Sequence, residues 1–407
     1  MILRHLRVKN YMIHRDTEME LHPLTVLVGP NGGGKSALFD ALLNFSMVSR
    51  GNLRQAFGPY PFSFRSTIYR GASKVSKICF KVAMSRSIEQ SDTLEYEIEY
   101  QQIGVADDEP QFTITSECVT KRPDGTVLFD RRNPDAFAVS RYAELEHDRS
   151  LFAAIRYALG QTELPDVDSL LCYCAQQISR FNRFRLDPSV LAQPSRLPDP
   201  SGNVTPRIGY HGEDLAATLY HLSEMRDPAL ASIQDKVRNI DSQFTEFVFN
   251  TVGTERIAFS AVYGDPRQTV PSVRLSAGTL IFIGLIALVT TSSRPPVLMI
   301  EEPENGLTPQ AIRAFYESVR ALAIHEDETK RSQVLLSSHS PFVICDAWNG
   351  EDRDFIYQVK VEAGSALVRK FGDVIAAEGI QLAKEKGGTR TILGLRNAEE
   401  IMSGYMS

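Results

Sequence analysis

Ile2 to Tyr11 alternates apolar with basic and polar residues, the period of two that a half-buried strand imposes. Leu24-Thr25-Val26-Leu27-Val28 is instead an apolar β-branched run and predicts a buried strand. Ala37 to Leu43, eight residues further on, reads as a helix. Residues 50–74 are rich in Gly, Pro, Ser and Arg and predict a loop. Strand patterns follow at Val75 to Met84, Thr93 to Gln102, Gln111 to Val119 and Thr126 to Asp130. Pro123-Asp124-Gly125 marks a hairpin between the last two, so this region predicts an antiparallel sheet.

The period changes near Pro134. Residues 141–160, 168–182, 212–226 and 228–249 carry helical spacing, for example Leu215, Leu219, Leu222 and Met225. A Pro-rich loop, Pro188 to Pro206, lies among them, and no sustained a/d heptad predicts a coiled-coil arm. Strands return at Arg256 to Tyr263 and Val270 to Leu275, followed by a buried helix from Thr279 to Thr290. Val297 to Ile300 reads as a strand, Thr308-Pro309 as the cap and first turn of a helix, and Gln333 to Ser337 as a further strand. A short helix after Pro341 and strands near Phe355 to Val361 and Ala366 to Lys370 complete a βαβ alternation, which indicates a mostly parallel sheet. The chain thus divides into an N-terminal lobe (1–135), a helical insertion (136–255), a C-terminal lobe (256–371) and a tail (372–407) of short helices with breaks at Gly387-Gly388 and Gly394.

Composition narrows the class. The 407 residues are 43% apolar and 23% charged, enough for a sizeable core. A formal charge of -6 argues against a wholly basic nucleic-acid coat and leaves a local basic groove open. Five scattered cysteines imply no disulfide framework, and Cys172 and Cys174 read as buried thiols rather than metal ligands. The start directly on a strand, and a longest apolar stretch of only Leu280 to Val289, lead to the expectation of a reduced, cytoplasmic protein without a membrane span.

The chemistry begins at Gly29-Pro30-Asn31-Gly32-Gly33-Gly34-Lys35-Ser36-Ala37, set between the Leu24–Val28 strand and its following helix. Strand, glycine loop and helix make a phosphate cradle: backbone N–H groups converge on phosphate oxygens and the helix start adds positive charge. Lys35 would reach the β- and γ-phosphates, and the Ser36 hydroxyl would ligate Mg²⁺. Val297 to Ile300 ends in Glu301 and Glu302, which suits one carboxylate on Mg²⁺ (Glu301) and one on the attacking water (Glu302). Leu275-Ser276-Ala277-Gly278-Thr279 reads either as a Ser N-cap with a Gly turn or as a helix start that binds a γ-phosphate. Ser337-Ser338-His339-Ser340-Pro341 puts a histidine at a strand's C-terminal end, where ligands gather in parallel sheets.

These four motifs, in this order, resemble the ABC-type ATPase head, and most closely the branch holding RecF, the structural-maintenance-of-chromosomes heads and the overcoming-lysogenization-defect ATPases. The resemblance implies an α/β P-loop NTPase fold with an antiparallel β subdomain and a helical insertion. It implies ATP and Mg²⁺ as cofactors, and a head-to-tail dimer or higher oligomer in which Ser276 to Gly278 of one copy complete the site built on Lys35 of another. In that scheme Glu302 is the catalytic carboxylate, His339 the switch histidine and Asn305 to Leu307 the loop crossing between copies, while the Lys9-Asn10-Tyr11 turn lies near the base. Two positions depart from the pattern: Glu301 stands where relatives have Asp, and Ala277 where they have Gly or Asp. Gln90, Gln101 and Gln102 are candidates for the family's glutamine loop.

The wide separation of Ser36 from Leu275 disfavours a transporter head. A RecF-like DNA-repair ATPase would need a basic groove. The one basic-aromatic cluster, Arg180-Phe181-Asn182-Arg183-Phe184-Arg185, reads as a solvated helix end before it reads as a nucleic-acid surface. A compact head without arms most resembles the ATPase of an antiviral system. A tail too short for a Toprim nuclease then implies a separate effector such as a nuclease or toxin. A slowly hydrolysing, nucleotide-gated scaffold is the remaining alternative, carried by Ala277.

Overall fold

A computed structural model of the chain describes all residues except 58–62, 72–76, 107–108, 142–144, 199–204, 265, 351, 378–382, 385–390 and 404–407. It contains two compact units, one of Met1–Phe181, Asp354–Ile380 and Ser403–Ser407, the other of Asn182–Arg353 and Gln381–Met402.

In the first unit the opening strand Ile2–Tyr11 pairs antiparallel with His14–Glu20 on one side and Ile78–Ser85 on the other. Thr93–Ala106, Glu109–Arg122 and Thr126–Asp130 extend this into a six-stranded antiparallel sheet. Its register stacks Val8, Phe80 and Ile98 in one row and Leu6, Val82 and Tyr96 in the next. That face is fully buried, while Arg7, Lys81 and Glu97 make a charged row on the other. The helix Lys35–Val48 covers the apolar face: Phe45 meets Phe80 and Tyr96, and Asn44 accepts the Tyr100 hydroxyl at 2.9 Å. Glu117, buried on the same sheet, accepts from Tyr96, Arg131 and the backbone N–H of Leu151, tying the sheet to the helix Leu151–Leu159. The phosphate-loop strand Leu24–Val28 pairs in parallel with Ile356–Glu362, which pairs antiparallel with Ser365–Lys370.

In the second unit Val297–Glu301 lies between two parallel neighbours, Gln333–Ser338 and Asn182–Phe184. Such a strand is buried on both faces, and its five residues are all buried, as the unbroken apolar run requires. The helix Ala277–Thr290 is likewise buried from Leu280 through Val289, apolar all round because no side of it meets water. The helix Pro309–Ala323 is amphipathic and starts as the sequence reads, with Thr308 Oγ1 accepting from Ala311 N at 3.3 Å. A separate antiparallel sheet is formed by Phe244–Val252, Arg256–Tyr263 and Gln268–Pro271. Among the described residues no helix is long and apolar enough to cross a membrane.

Several segments differ from expectation. The helix expected over 228–249 runs only over Pro228–Ile240, and Phe244–Val252 is a strand. Thr, Phe and Val in that segment pair with Arg256–Tyr263, and this long-range ladder overrides the local spacing. The helix expected from 141 begins at Leu151, where Ser150 caps it. The 50–74 loop holds two short helices, Leu53–Phe57 and Phe64–Thr67, and the Val270 to Leu275 strand ends at Pro271 in a turn of 3-10 helix. The tail contains helices Phe371–Ala377 and Leu395–Ser403; its Gly387-Gly388 break lies outside the described residues. All five cysteines are thiols, and burial pushes that of Cys174 up to about 12.

Candidate functional site

In the first unit the phosphate loop is shaped by close backbone approach. Gly29, Gly32 and Gly34 have φ of +148°, +77° and +113°, a region that side-chain-bearing residues rarely occupy. A Cβ at Gly29 would collide with the carbonyl oxygen of Val359, and one at Gly33 would lie 2.5 Å from the same oxygen. The loop folds around Lys35, which is buried and whose ammonium donates to the carbonyls of Gly29 (2.7 Å) and Pro30 (3.0 Å). Pro30 O also accepts from Gly33 N at 3.1 Å. The 14-residue helix from Lys35 starts at Gly34 without a side-chain cap hydrogen bond, so the positive end of its dipole lies at the loop. Ser36 and Ala37 lie in this first turn, with Ser36 exposed. A loop held too tight for side chains, with an ammonium and a helix start in it, fits a polyphosphate. The Ser36 hydroxyl in this turn is a hard oxygen donor of the kind that Mg²⁺ takes.

His14 supports this loop from below, a role that no local sequence signal shows. It is fully buried; Nε2–H donates to Gly34 O at 3.1 Å, and Nδ1 accepts the Thr17 hydroxyl at 2.9 Å. Burial lowers its pKa to about 4, against a smaller opposing effect of the Gly34 carbonyl. Tyr11 is also fully buried and donates to Asp40 O at 3.2 Å, so it fastens its turn to the helix. Gln101 and Gln102 lie inside the long strand Thr93–Ala106, with Gln90 just before it.

In the second unit the acidic strand ends in Glu301, which is buried and paired with Arg183. Glu302 follows with φ +43°, and its N–H donates to Ser337 O at 2.9 Å. Left-handed backbone at a non-glycine residue costs of order 1–3 kcal/mol and persists where the surroundings hold it. Glu302 Oε2 accepts from Arg185 Nη2 at 3.0 Å and from Asn305 Nδ2 at 3.2 Å. His339 Nδ1 stands 3.4 Å from Glu304 Oε1 and 3.9 Å from Glu302 Oε1. Glu304, nearly buried, accepts from Ser338 Oγ and His339 N, both at 2.8 Å, and so fixes the histidine's backbone. Ser276 caps its helix, accepting from Thr279 N at 3.1 Å. A Cβ at Gly278 would collide with Gly306 O, which sets the signature helix directly against the Asn305 to Leu307 loop.

Glu301, Glu302, Asn305 and His339 therefore meet in one unit, and Gly29 to Ala37 form the cradle in the other. Sequence reasoning missed His14, Glu304 and the arginine pair. The basic-aromatic cluster is not a solvated helix end: Phe181 and Phe184 are buried, Asn182–Phe184 is a strand, and Arg183 and Arg185 face the two carboxylates. Their spacing of two is the only signal the sequence held, since the pairing joins residues more than a hundred positions apart.

Two outcomes follow from the loop. Gly33→Ala puts a Cβ 2.5 Å from the Val359 carbonyl oxygen, closer than side chains pack, so backbone must move; overpacking of this kind costs about 1–3 kcal/mol, so ATP affinity in a calorimetric titration falls roughly 10–100-fold. His14 has a folded pKa below its unfolded value, so the stability from its neutral form is present above about 6.5 and is lost as pH falls toward about 4. The loss amounts to roughly 3 kcal/mol by linkage, and denaturant unfolding of His14→Gln between pH 7 and 4 should show a correspondingly flatter slope.

No curated protein matches the sequence. Among solved structures the chain is similar to an SMC head domain from Thermotoga maritima, at 13% identity and TM-score 0.44, over 91% of this chain and 99% of that one. It is also similar to an Smc head bound to the C-winged helix domain of ScpA, at 10% identity and TM-score 0.49, over 92% and 100% of the two chains. A third similar structure is an Smc head with an extended coiled coil bound to the C-terminal domain of ScpA derived from Pyrococcus furiosus, at 9% identity and TM-score 0.47, over 92% and 98%. The family profile described as "AAA domain, putative AbiEii toxin, Type IV TA system" matches residues 24–346, a span that takes in the phosphate loop, the signature segment, the acidic strand and His339. The chain belongs to this AAA-domain family.

Proposed function

We propose that this chain hydrolyses ATP with Mg²⁺, assembles with copies of itself around the nucleotide, and controls a separate effector, a nuclease or toxin, in bacterial antiphage defence. The observation that carries the reading is the phosphate loop, where the Val359 carbonyl leaves room only for glycine at 29 and 33 and Lys35 is drawn into the curl. Lys35 and the N–H groups of Gly32 to Ala37 hold the β- and γ-phosphates, and Ser36 and Glu301 are the residues for the metal. Bound Mg²⁺ supplies neutralisation of the phosphate oxygens. Glu302 takes the proton of the attacking water, and His339, anchored through Glu304, senses the γ-phosphate. Ser276 and Gly278, seated against Gly306, serve the nucleotide of a second copy.

A defence role is supported by the family description, which names a toxin of a toxin–antitoxin system. A DNA-repair role loses its main support, because Arg183 and Arg185 are engaged by Glu301 and Glu302. The alternative of a slow, nucleotide-gated scaffold rests on Ala277 in the signature and separates from the enzyme by turnover.

Phosphate release by the wild type should fall by about 10²-fold or more in Glu302→Gln, the usual scale for losing a general base. In ATP and Mg²⁺ the mass of Glu302→Gln should rise to a dimer or larger, while Lys35→Ala stays unchanged. A wild type that binds ATP without releasing phosphate selects the scaffold, and full activity in Glu302→Gln refutes the role given to that carboxylate.

A further inference from the structure

Asn182–Phe184 runs parallel to the acidic strand, with Met299 opposite Arg183 and Ile300 opposite Phe184. The strand ends at Phe184, yet Arg183 on it and Arg185 just past it both reach the acidic end of the neighbouring strand. Glu301 and Glu302 are neighbours and on a regular strand would point oppositely. The left-handed turn at Glu302 breaks that alternation and brings both carboxylates to the arginines.

The two ion pairs differ in kind. Arg183 and Glu301 are 11% and 1% exposed, and the Arg183 guanidinium also lies 5.6 Å from the centre of the Tyr210 ring. Opening that pair with no other cation in its place would strand a charge out of water, so it holds in the nucleotide-free protein. Arg185 is 52% exposed and Glu302 18%, the range in which an ion pair is weak and readily exchanged. The Arg185 backbone is held on both sides, its N–H by Tyr210 O at 2.9 Å and its carbonyl by His211 Nδ1 at 3.2 Å. The side chain is thus a half-exposed arm on a fixed pivot.

We propose that Arg185 is a latch on Glu302, a positioning residue that keeps the carboxylate from serving as base until nucleotide arrives. The inference rests on the ATPase reading above. Arg185 and Asn305 both donate to Oε2, which occupies that oxygen's lone pairs and fixes the carboxylate's orientation, with Oε1 3.9 Å from His339 Nδ1. Mg²⁺-nucleotide carries what opens such a pair: phosphate oxygens that compete for the guanidinium, and a cation that competes for the carboxylate. Release of Arg185 leaves Glu302 with Asn305 alone, so the carboxylate is free to turn toward the attacking water and Oε2 regains a lone pair for its proton.

The test joins a readout without nucleotide to one with it. Melting temperatures of nucleotide-free wild type, Arg185→Ala, Glu302→Gln and the double variant report whether the pair exists in the resting protein. The latch predicts non-additivity, the double variant shifting less than the sum of the singles. Because the wild type must open the pair in every turnover, phosphate release at saturating ATP should then rise severalfold in Arg185→Ala, with KM for ATP within about twofold of wild type, and return toward wild type in Arg185→Lys. Additive melting shifts overturn the latch whatever the enzyme does. Coupling with unchanged or lower turnover also overturns it and makes Arg185 a structural or phosphate-stabilising residue. If the wild type binds no ATP in a calorimetric titration, the ATPase reading falls and the latch with it, a result the nucleotide-free coupling cannot mimic.

Discussion

The carbonyl oxygen of Val359 sets the shape of the phosphate loop. It sits so close to Gly29 and Gly33 that neither position admits a Cβ. The loop therefore keeps its curl through a residue more than three hundred positions away, carried on the strand that pairs with Leu24–Val28. His14 closes the loop from the other side through Gly34, and Lys35 satisfies two carbonyls that the curl turns inward. A backbone confined at Gly29, Gly33 and Gly34 has little room to relax, so its N–H groups stay arranged for the polyphosphate proposed to bind there. That is preorganisation, and it reduces the ordering cost of binding.

The acidic end of Val297–Glu301 obeys a different constraint. Two carboxylates at the end of a buried strand repel each other and lose water, so each needs a partner. Arg183 and Arg185 supply the positive charge, Asn305 a further hydrogen bond, and Glu304 ties His339 to the same group. The left-handed backbone of Glu302 is what lets one short strand meet both acids. Strain of this kind at the residue proposed as the base is consistent with a site shaped for chemistry rather than for stability.

Much of this was readable in sequence where the signal is local. The glycine spacing of the loop, the Thr308-Pro309 helix start and the apolar run into Glu301 are each set by neighbours within a few residues. Long-range partners were not readable. Arg183 and Arg185 looked like a solvated basic face because their carboxylates lie past residue 300, and Phe244–Val252 kept helical spacing while a later strand claimed it. His14 carried no motif, since its role depends on a buried carbonyl twenty residues on. Glu304 stood inside a recognised motif, yet only the fold shows that it grips Ser338 and His339.

The central claim is that the loop from Gly29 to Ala37 is a preformed polyphosphate site whose charge comes from Lys35. Calorimetric titration of ATP into wild type and Lys35→Ala, at matched salt, tests it most directly. The account predicts saturable binding by the wild type and at least about tenfold weaker binding by the variant, the loss expected when one charge-assisted contact goes. Equal affinity in the two proteins, or no binding by the wild type, would contradict it.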